Sequence, residues 1–348
     1  MKRIISLALI LCLLAAFAYG CNNNEEDKQL FVGVLFDSLQ VEGRTRQRDE
    51  LQRYAEELGI RLEFQDGGLS EATQINQAEN LITQGVDAII LLAHNPEAMG
   101  PMVEACRADG VVLVVTDRIV PDYEYDYFVG WDNYFIGYEQ AKYALDRVPQ
   151  GNYVLIAGAP TDPNALEWEA IWLDILGPSI ASGDIKIVLQ ERCDDWDPTI
   201  AANLTENALT LANDDIQVVM AMADILATGV VQALQQRGLA GQILVTGLDG
   251  EATAYQRIAE GTQAMTLQLD DELMARKMLD LIAAHFAGED VSRLLTTTTN
   301  NGKYDIPTIE VGLMLADASN LMDLIAEGLV DYDFTFENVP EADRPPRP

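Results

Sequence analysis

The feature that most constrains this chain is a repeat: short apolar runs, each followed by a longer segment of helical period. Residues 30–36 read as a buried strand, and Leu51, Tyr54, Ala55 and Leu58 recur at helical spacing within 44–58. Gly59 then stops that helix. The alternation continues with strands at 61–64, 87–92, 111–115 and 127–130 and helices at 71–84 and 96–109. A second copy begins near Tyr134. It has helices at 134–147, 165–180, 198–212, 224–237 and 252–260, and strands at 153–157, 185–189, 216–220, 242–245 and 264–267. A helix at 270–287, a Thr-rich stretch and one apolar strand at 309–315 follow. Continuous apolar strands joined by helices imply a parallel sheet covered on both faces. The chain is therefore expected to form two doubly wound α/β lobes.

The N-terminus bears on compartment. Lys2 and Arg3 precede an almost unbroken apolar run at 4–18, too short and wrongly flanked for a stable membrane span. Ala18-Tyr19-Gly20-Cys21, followed by Asn22, Asn23, Asn24, Glu25 and Glu26, resembles a bacterial lipoprotein signal. That resemblance implies a signal peptide at 1–20, a lipid on Cys21 and a tether at 21–29; the alternative is an ordinary secretory signal with Cys21 a bystander. No further hydrophobic span follows, so the expected protein is soluble apart from its anchor.

Fifty-six acidic residues against 22 basic ones give a formal net charge of −34. Such a surface repels phosphate backbones and argues against nucleic acid as a partner. The chain is still 49% hydrophobic, enough for substantial cores. With Cys12 in the signal and Cys21 at the lipid site, Cys106 and Cys193 remain, neither a disulfide framework nor part of a metal-ligand pattern.

In doubly wound lobes the ligand-competent loops lie at the carboxyl ends of strands. There the sequence places Asp37-Ser38, Arg44 and Arg46, Asp117-Arg118, Trp131-Asp132-Asn133, Asn164, Trp168, Trp196, Asp249 and Gln268. Carboxylates accept from hydroxyls, Arg and Asn donate to oxygens, and an indole covers an apolar C–H face. This is the set a neutral polyol needs.

These loops, with Thr73-Gln74 through Gly85-Val86-Asp87, Thr116-Asp117-Arg118, Val148 to Tyr153, Arg257-Ile258-Ala259 through Met265-Thr266 and Asn300-Asn301-Gly302, resemble the sugar-binding type I periplasmic binding proteins, in particular their xylose-type branch. The resemblance spans about 30–330. It implies two lobes joined by three crossovers, near Asn133, Leu267 and Thr299. The first lobe would comprise 30–133 plus 267–303, the second 134–266 plus 304–333, with a frayed acidic, Pro-rich tail at 334–348. It also implies a monomer without cofactor that hands a monosaccharide to an ABC permease. Asp117, Arg118, Asp132, Asn133, Trp196 and Asp249 match sugar-contacting positions, and Asn164 matches by place. Arg44, Trp168 and Gln268 complete the expected ligand set. There are departures. The xylose-type arginine falls on Gly43, a family asparagine on Ala223 and a family lysine on Leu269. A pentose remains the first expectation.

A receptor for a sensor kinase or chemoreceptor, and a nucleoside as ligand, fit the same residues. An enzyme would need a nucleophile, metal or cofactor motif, and the sequence carries none of these. A repressor of this architecture would need a helix-turn-helix and a basic face. His94 reads as a polar loop residue, Asp194, Asp195 and Asp197 as solvated or capping groups, and Gly158-Ala159-Pro160 as an ordinary turn. Glu167 and Glu169 read as exposed surface, and Trp172 and Cys106 as packing.

Overall fold

The computed structural model describes residues 29–348; the expected signal peptide, the lipid site at Cys21 and nearly all of the tether lie outside the described residues. The first series runs β1 (Phe31–Phe36), α1 (Glu42–Leu58), β2 (Arg61–Asp66), α2 (Glu71–Gln84), β3 (Ala88–Leu92), α3 (Gly100–Asp109), β4 (Val112–Thr116) and β5 (Tyr127–Trp131). The second runs α4 (Asn133–Arg147), β6 (Gly151–Ala157), α5 (Pro163–Ser182), β7 (Ile185–Arg192), α6 (Pro198–Ala212), β8 (Val218–Ala221), α7 (Asp224–Gln236), β9 (Leu244–Val245), α8 (Ala252–Ala259) and β10 (Met265–Leu269). The chain closes with α9 (Asp271–Phe286), β11 (Thr297–Asn300), β12 (Asp305–Val311), β13 (Leu313–Asp317), α10 (Leu321–Ala326) and α11 (Tyr332–Thr335).

Two sheets organise these elements. The larger has the order β11-β12-β5-β4-β3-β1-β2, parallel except where β11 folds back on β12. The smaller is β7-β6-β8-β9, all parallel. An isolated bridge from Asp249 to Gln268 leads to the antiparallel pair β10-β13. Every residue of β1, β3 and β4 is buried, as strands sandwiched between helices must be. Each buried Val, Leu or Ile contributes roughly 1.5–3 kcal/mol relative to exposure. Gly59 ends α1 with φ 69°, a left-handed conformation that glycine adopts without steric cost.

Helices begin just after strand ends, capped by aspartates. Asp132, Asp162, Asp197 and Asp270 each accept from a backbone N–H in the first turn of α4, α5, α6 and α9. Trp172 and Cys106 are buried packing groups, as the sequence suggested.

Three findings differ from the sequence reading. The single strand expected at 309–315 is two: β12 pairs with β5 in the larger sheet and β13 with β10 beside the smaller one. Gly312 separates them within a run that is apolar apart from Glu310, so the apolar pattern alone hid the break. The third crossover therefore lies at 311–313 instead of Thr299, which sits within the β11-β12 hairpin, and 305–311 belongs with the first sheet. The segment expected to fray is held: Phe336 is buried, Arg344 donates to the carbonyls of Val339 and Glu337, and the Tyr332 hydroxyl donates to the Pro345 carbonyl. Phe336 and Val339 pack in one cluster with apolar residues of α8 and α10, giving the acidic tail an apolar anchor.

Candidate functional site

Between the two sheets lies a cavity of about 430 Å³, lined by strand ends and helix starts from both. One side supplies Asp37 and Ser38 after β1, Arg44 from the first turn of α1, Asp117 and Arg118 after β4, and Asp271 at the start of α9. The other supplies Asp162 and Asn164 at the start of α5, Trp168 one turn on, Trp196 before α6, and Asp249 beyond β9.

Arg118 sits at the centre. Its Nη1 donates to Asp37 Oδ2 at 2.6 Å and to the Ala93 carbonyl at 3.0 Å, while its Nε donates to Asp162 Oδ2 at 2.5 Å. One guanidinium thus ties the two lobes together. Arg44 Nη2 donates to Asp117 Oδ2 at 2.6 Å, and Asn164 Nδ2 donates to the Asp117 carbonyl at 2.9 Å, again across the cleft. Charge-assisted bonds of this kind are the strong ones, and all these groups are largely buried.

Two tryptophans shape the opposite wall. The rings of Trp168 and Trp196 meet edge to face, 6.4 Å apart at 63°. Asn133 Oδ1 accepts from Trp168 Nε1 at 3.1 Å, and Asn133 Nδ2 donates to Asn164 Oδ1 at 3.1 Å. Asn133 therefore positions two lining residues without lining the cavity itself. Trp196 packs its six-membered ring against Gly158, where a Cβ would come within 2.1 Å of the indole. The turn read as ordinary is a seat for an aromatic ring.

Backbone strain gathers here. Among the described residues eight non-glycine residues have positive φ; Leu69, Asp117, Asp195, Trp196 and Asp249, five of them, line this cavity. Such conformations persist where the surroundings over-determine them, and they cluster at ligand sites. Below Asp249, a buried network holds its loop. Asp224 accepts from Thr266 Oγ1 at 2.7 Å, Gln263 Nε2 at 2.7 Å and the Glu251 N–H at 3.0 Å.

The electrostatics are uneven. Burial opposes ionisation of Asp37, but Arg118 and Arg44 win and hold its carboxyl below the ordinary range. Burial, with the like charges of Asp224 and Glu251, pushes Asp249 well above it. Burial raises Asp271 to about 6 despite Arg46 and Arg44, and raises Glu251 to about 7 with Asp224 adding to it. A carboxyl kept partly protonated can donate as well as accept.

Of the expected ligand residues, Arg44, Asp117, Arg118, Asn164, Trp168, Trp196 and Asp249 come together around the cavity. Asp132 does not: it is exposed, and its Oδ1 caps α4 by accepting from the Phe135 N–H at 2.9 Å. Gln268 does not either. Gln268 lines only a second cavity behind the crossovers, whereas its neighbour Leu269 borders both. Trp131 lies buried in β5, outside the lining. Glu169, read as surface, is buried and accepts from Arg192 and Gln190 at 2.7 Å each. The sequence reading passed over Asp162 and Asp271 and left Asp37 unassigned. All three follow strand ends, a signal shared by the capping aspartates Asp132, Asp197 and Asp270. Gly43 stands where the xylose-type arginine falls; a Cβ there would meet Asp271 Oδ2 at 2.9 Å. Among the described residues no group of three or more side chains could hold a metal ion, and no helix is long and apolar enough to cross a membrane.

Donors, acceptors and indole faces in one enclosed space suit a small polyhydroxylated molecule. The comparisons agree with this geometry. The periplasmic binding protein domain matches residues 32–290. The D-xylose-binding periplasmic protein of Escherichia coli (strain K12) is 34% identical over 86% of this chain and 90% of its own length. The protein of the same description from Haemophilus influenzae is 29% identical over 87% and 91%. In three dimensions the chain is similar to a carbohydrate transporter solute binding protein from Chloroflexus aurantiacus, solved in complex with D-glucose. Their TM-score is 0.82 at 25% identity, covering 88% of this chain and 98% of that one. With the domain spanning most of its length and its relatives aligned nearly end to end, the chain belongs to the periplasmic binding protein family and is a binding protein, not an enzyme.

Proposed function

We propose that this protein captures a monosaccharide outside the cytoplasm, a pentose and first of all xylose, and delivers it to an ABC importer. The observation that carries the reading is the pairing of Arg44 and Arg118 with carboxylates from both lobes beside the Trp168–Trp196 corner. Sugar hydroxyls donate to Asp37, Asp117 and Asp249 and accept from the two guanidinium groups, while the C–H face of the ring lies on an indole. The cavity, about 430 Å³, is of small-molecule size. The names of the Escherichia coli and Haemophilus influenzae relatives put xylose first. Leu269, in place of the family lysine, removes one polar contact, so the ranking among sugars is this chain's own. Lipidation of Cys21 would hold the protein at the membrane beside its importer.

Binding is expected to draw the lobes together, because a ligand favours whichever arrangement it contacts from both sides. Trp168 and Trp196 report it directly. Tryptophan emission, followed while xylose, ribose, arabinose, glucose and galactose are titrated in turn, should saturate for xylose at the lowest concentration. Another sugar saturating first would reassign the ligand. No change with any of the five would remove common monosaccharides from the reading.

A further inference from the structure

On the far side of the α1 start from the cleft, a second cavity of about 540 Å³ lies behind the crossover strands. Its walls come from the start of α1, from Gly250 and Tyr255, from the junction of β10 with α9, and from residues within 312–335. Clefts of this size take small molecules.

Three independent features give it a chemistry. Leu273, Met314, Leu329 and Phe334 are exposed apolar side chains, and all four meet at this one cavity. Exposed hydrophobic groups scattered singly carry no message, whereas gathered ones mark interaction sites. Deeper in, Tyr255 is only 4% exposed, and its hydroxyl and Gln268 Oε1 are both buried without a hydrogen-bond partner. The two groups meet at Gly250, where a Cβ would come 2.8 Å from the Tyr255 oxygen and 3.0 Å from Gln268 Cγ. An amide oxygen only accepts, so whatever completes it must donate. Finally, the lining is acidic. Glu42, Asp270, Asp271, Glu272 and Asp331 face one cation, Arg46. That guanidinium is already committed to Glu42 at 2.8 Å, Asp271 at 2.8 Å and the Asp249 carbonyl at 3.2 Å.

We propose that this cavity is a second binding site, for a small molecule carrying a protonated amine on an apolar body. With a small turn of both side chains toward the cavity, Gln268 Oε1 and the Tyr255 hydroxyl accept from the ammonium within the field of the surrounding carboxylates, and the hydrocarbon body lies against Leu329, Met314 and Phe334. Gln268 and Tyr255, the groups that would hold the amine, do not line the cleft cavity, although Leu269 and Asp271 border both.

The probe is n-hexylammonium, with n-hexanol and hexanoate as shape-matched neutral and anionic controls, titrated calorimetrically into the purified protein. Saturable one-to-one binding of the amine is expected, with both controls at least about tenfold weaker, a difference of about 1.4 kcal/mol. Leu329→Arg places a cation and bulk at the mouth on a side chain that is 49% exposed, so the fold should tolerate it. It should weaken the amine about tenfold or more while the protein melts as before. Met314→Arg provides the same test from the opposite wall should Leu329→Arg misfold. Absence of amine binding would overturn the proposal. So would equal binding of hexanol, or amine binding that neither substitution alters, which would put the amine elsewhere on the acidic surface.

Discussion

Arg118 shows how one side chain serves both stability and recognition. It is buried between Asp37 and Asp162, so truncation strands two buried carboxylates. Arg118→Ala should cost about 3–5 kcal/mol, the usual penalty for removing one partner of a buried pair, read from denaturant melts. A loss under about 1 kcal/mol would mean that water already reaches the pair. Asp132 makes the contrasting case. Its matching position points to the ligand, but its carboxylate caps α4. Asp132→Ala is expected to lower stability by about 1 kcal/mol and leave sugar affinity unchanged. A large affinity loss would return it to the site. Gly158 is the third informative residue, because the Trp196 indole occupies the space a Cβ needs. Gly158→Ala should cost about 1–3 kcal/mol through overpacking and weaken sugar binding about tenfold by shifting that ring. An unmoved tryptophan emission maximum in this variant would contradict the packing.

At the scale of elements, the loops after β9 and β10 carry buried acids at a cost that depends on pH. Glu251 and Asp271 hold protons more tightly in the folded state, at about 7 and about 6, against ordinary values of 4.5 and 3.8. Between each pair of values the native state binds more protons than the unfolded chain, so stability falls as pH rises through that window. Asp249 and Asp224 shift in the same direction. Asp37 shifts the other way, and its contribution is lost only as pH falls below its ordinary 3.8. The protein should therefore melt at a higher temperature at pH 5 than at pH 7.5, and Glu251→Gln should flatten the upper part of that profile. A melting temperature that rises from pH 5 to 7.5 would contradict the assignment. The elements themselves were largely legible, because continuous apolar strands and glycine-stopped helices are local signals. The site was less so. An aspartate after a strand can cap the next helix, as Asp132 and Asp270 do, or cap it and face the cleft, as Asp162 and Asp197 do. Only the packing of the second lobe against the first separates these cases. The alternation along β10 was readable in principle, since Gln268 and Leu269 leave opposite faces of the strand, but both still border the second cavity.

Across the whole molecule, three crossovers at 131–133, 269–271 and 311–313 join the lobes, and the bonds Arg118–Asp162 and Asn164–Asp117 span the cleft between them. Such an arrangement permits hinged closure around a ligand, the motion the proposed function needs. Asp249 is the residue on which the claim turns, because it approaches the cavity from the second lobe on a strained backbone, φ 104°. The most direct measurement is calorimetric titration of D-xylose into the protein and into Asp249→Ala. Saturable one-to-one binding to the parent is expected. Removing one hydrogen-bonding partner in a buried site costs about 1–3 kcal/mol, so the folded variant should bind about five- to a hundredfold more weakly. Equal affinity in the two proteins would remove Asp249 from the site, and heat-silent titration of a folded parent would remove xylose from the cleft.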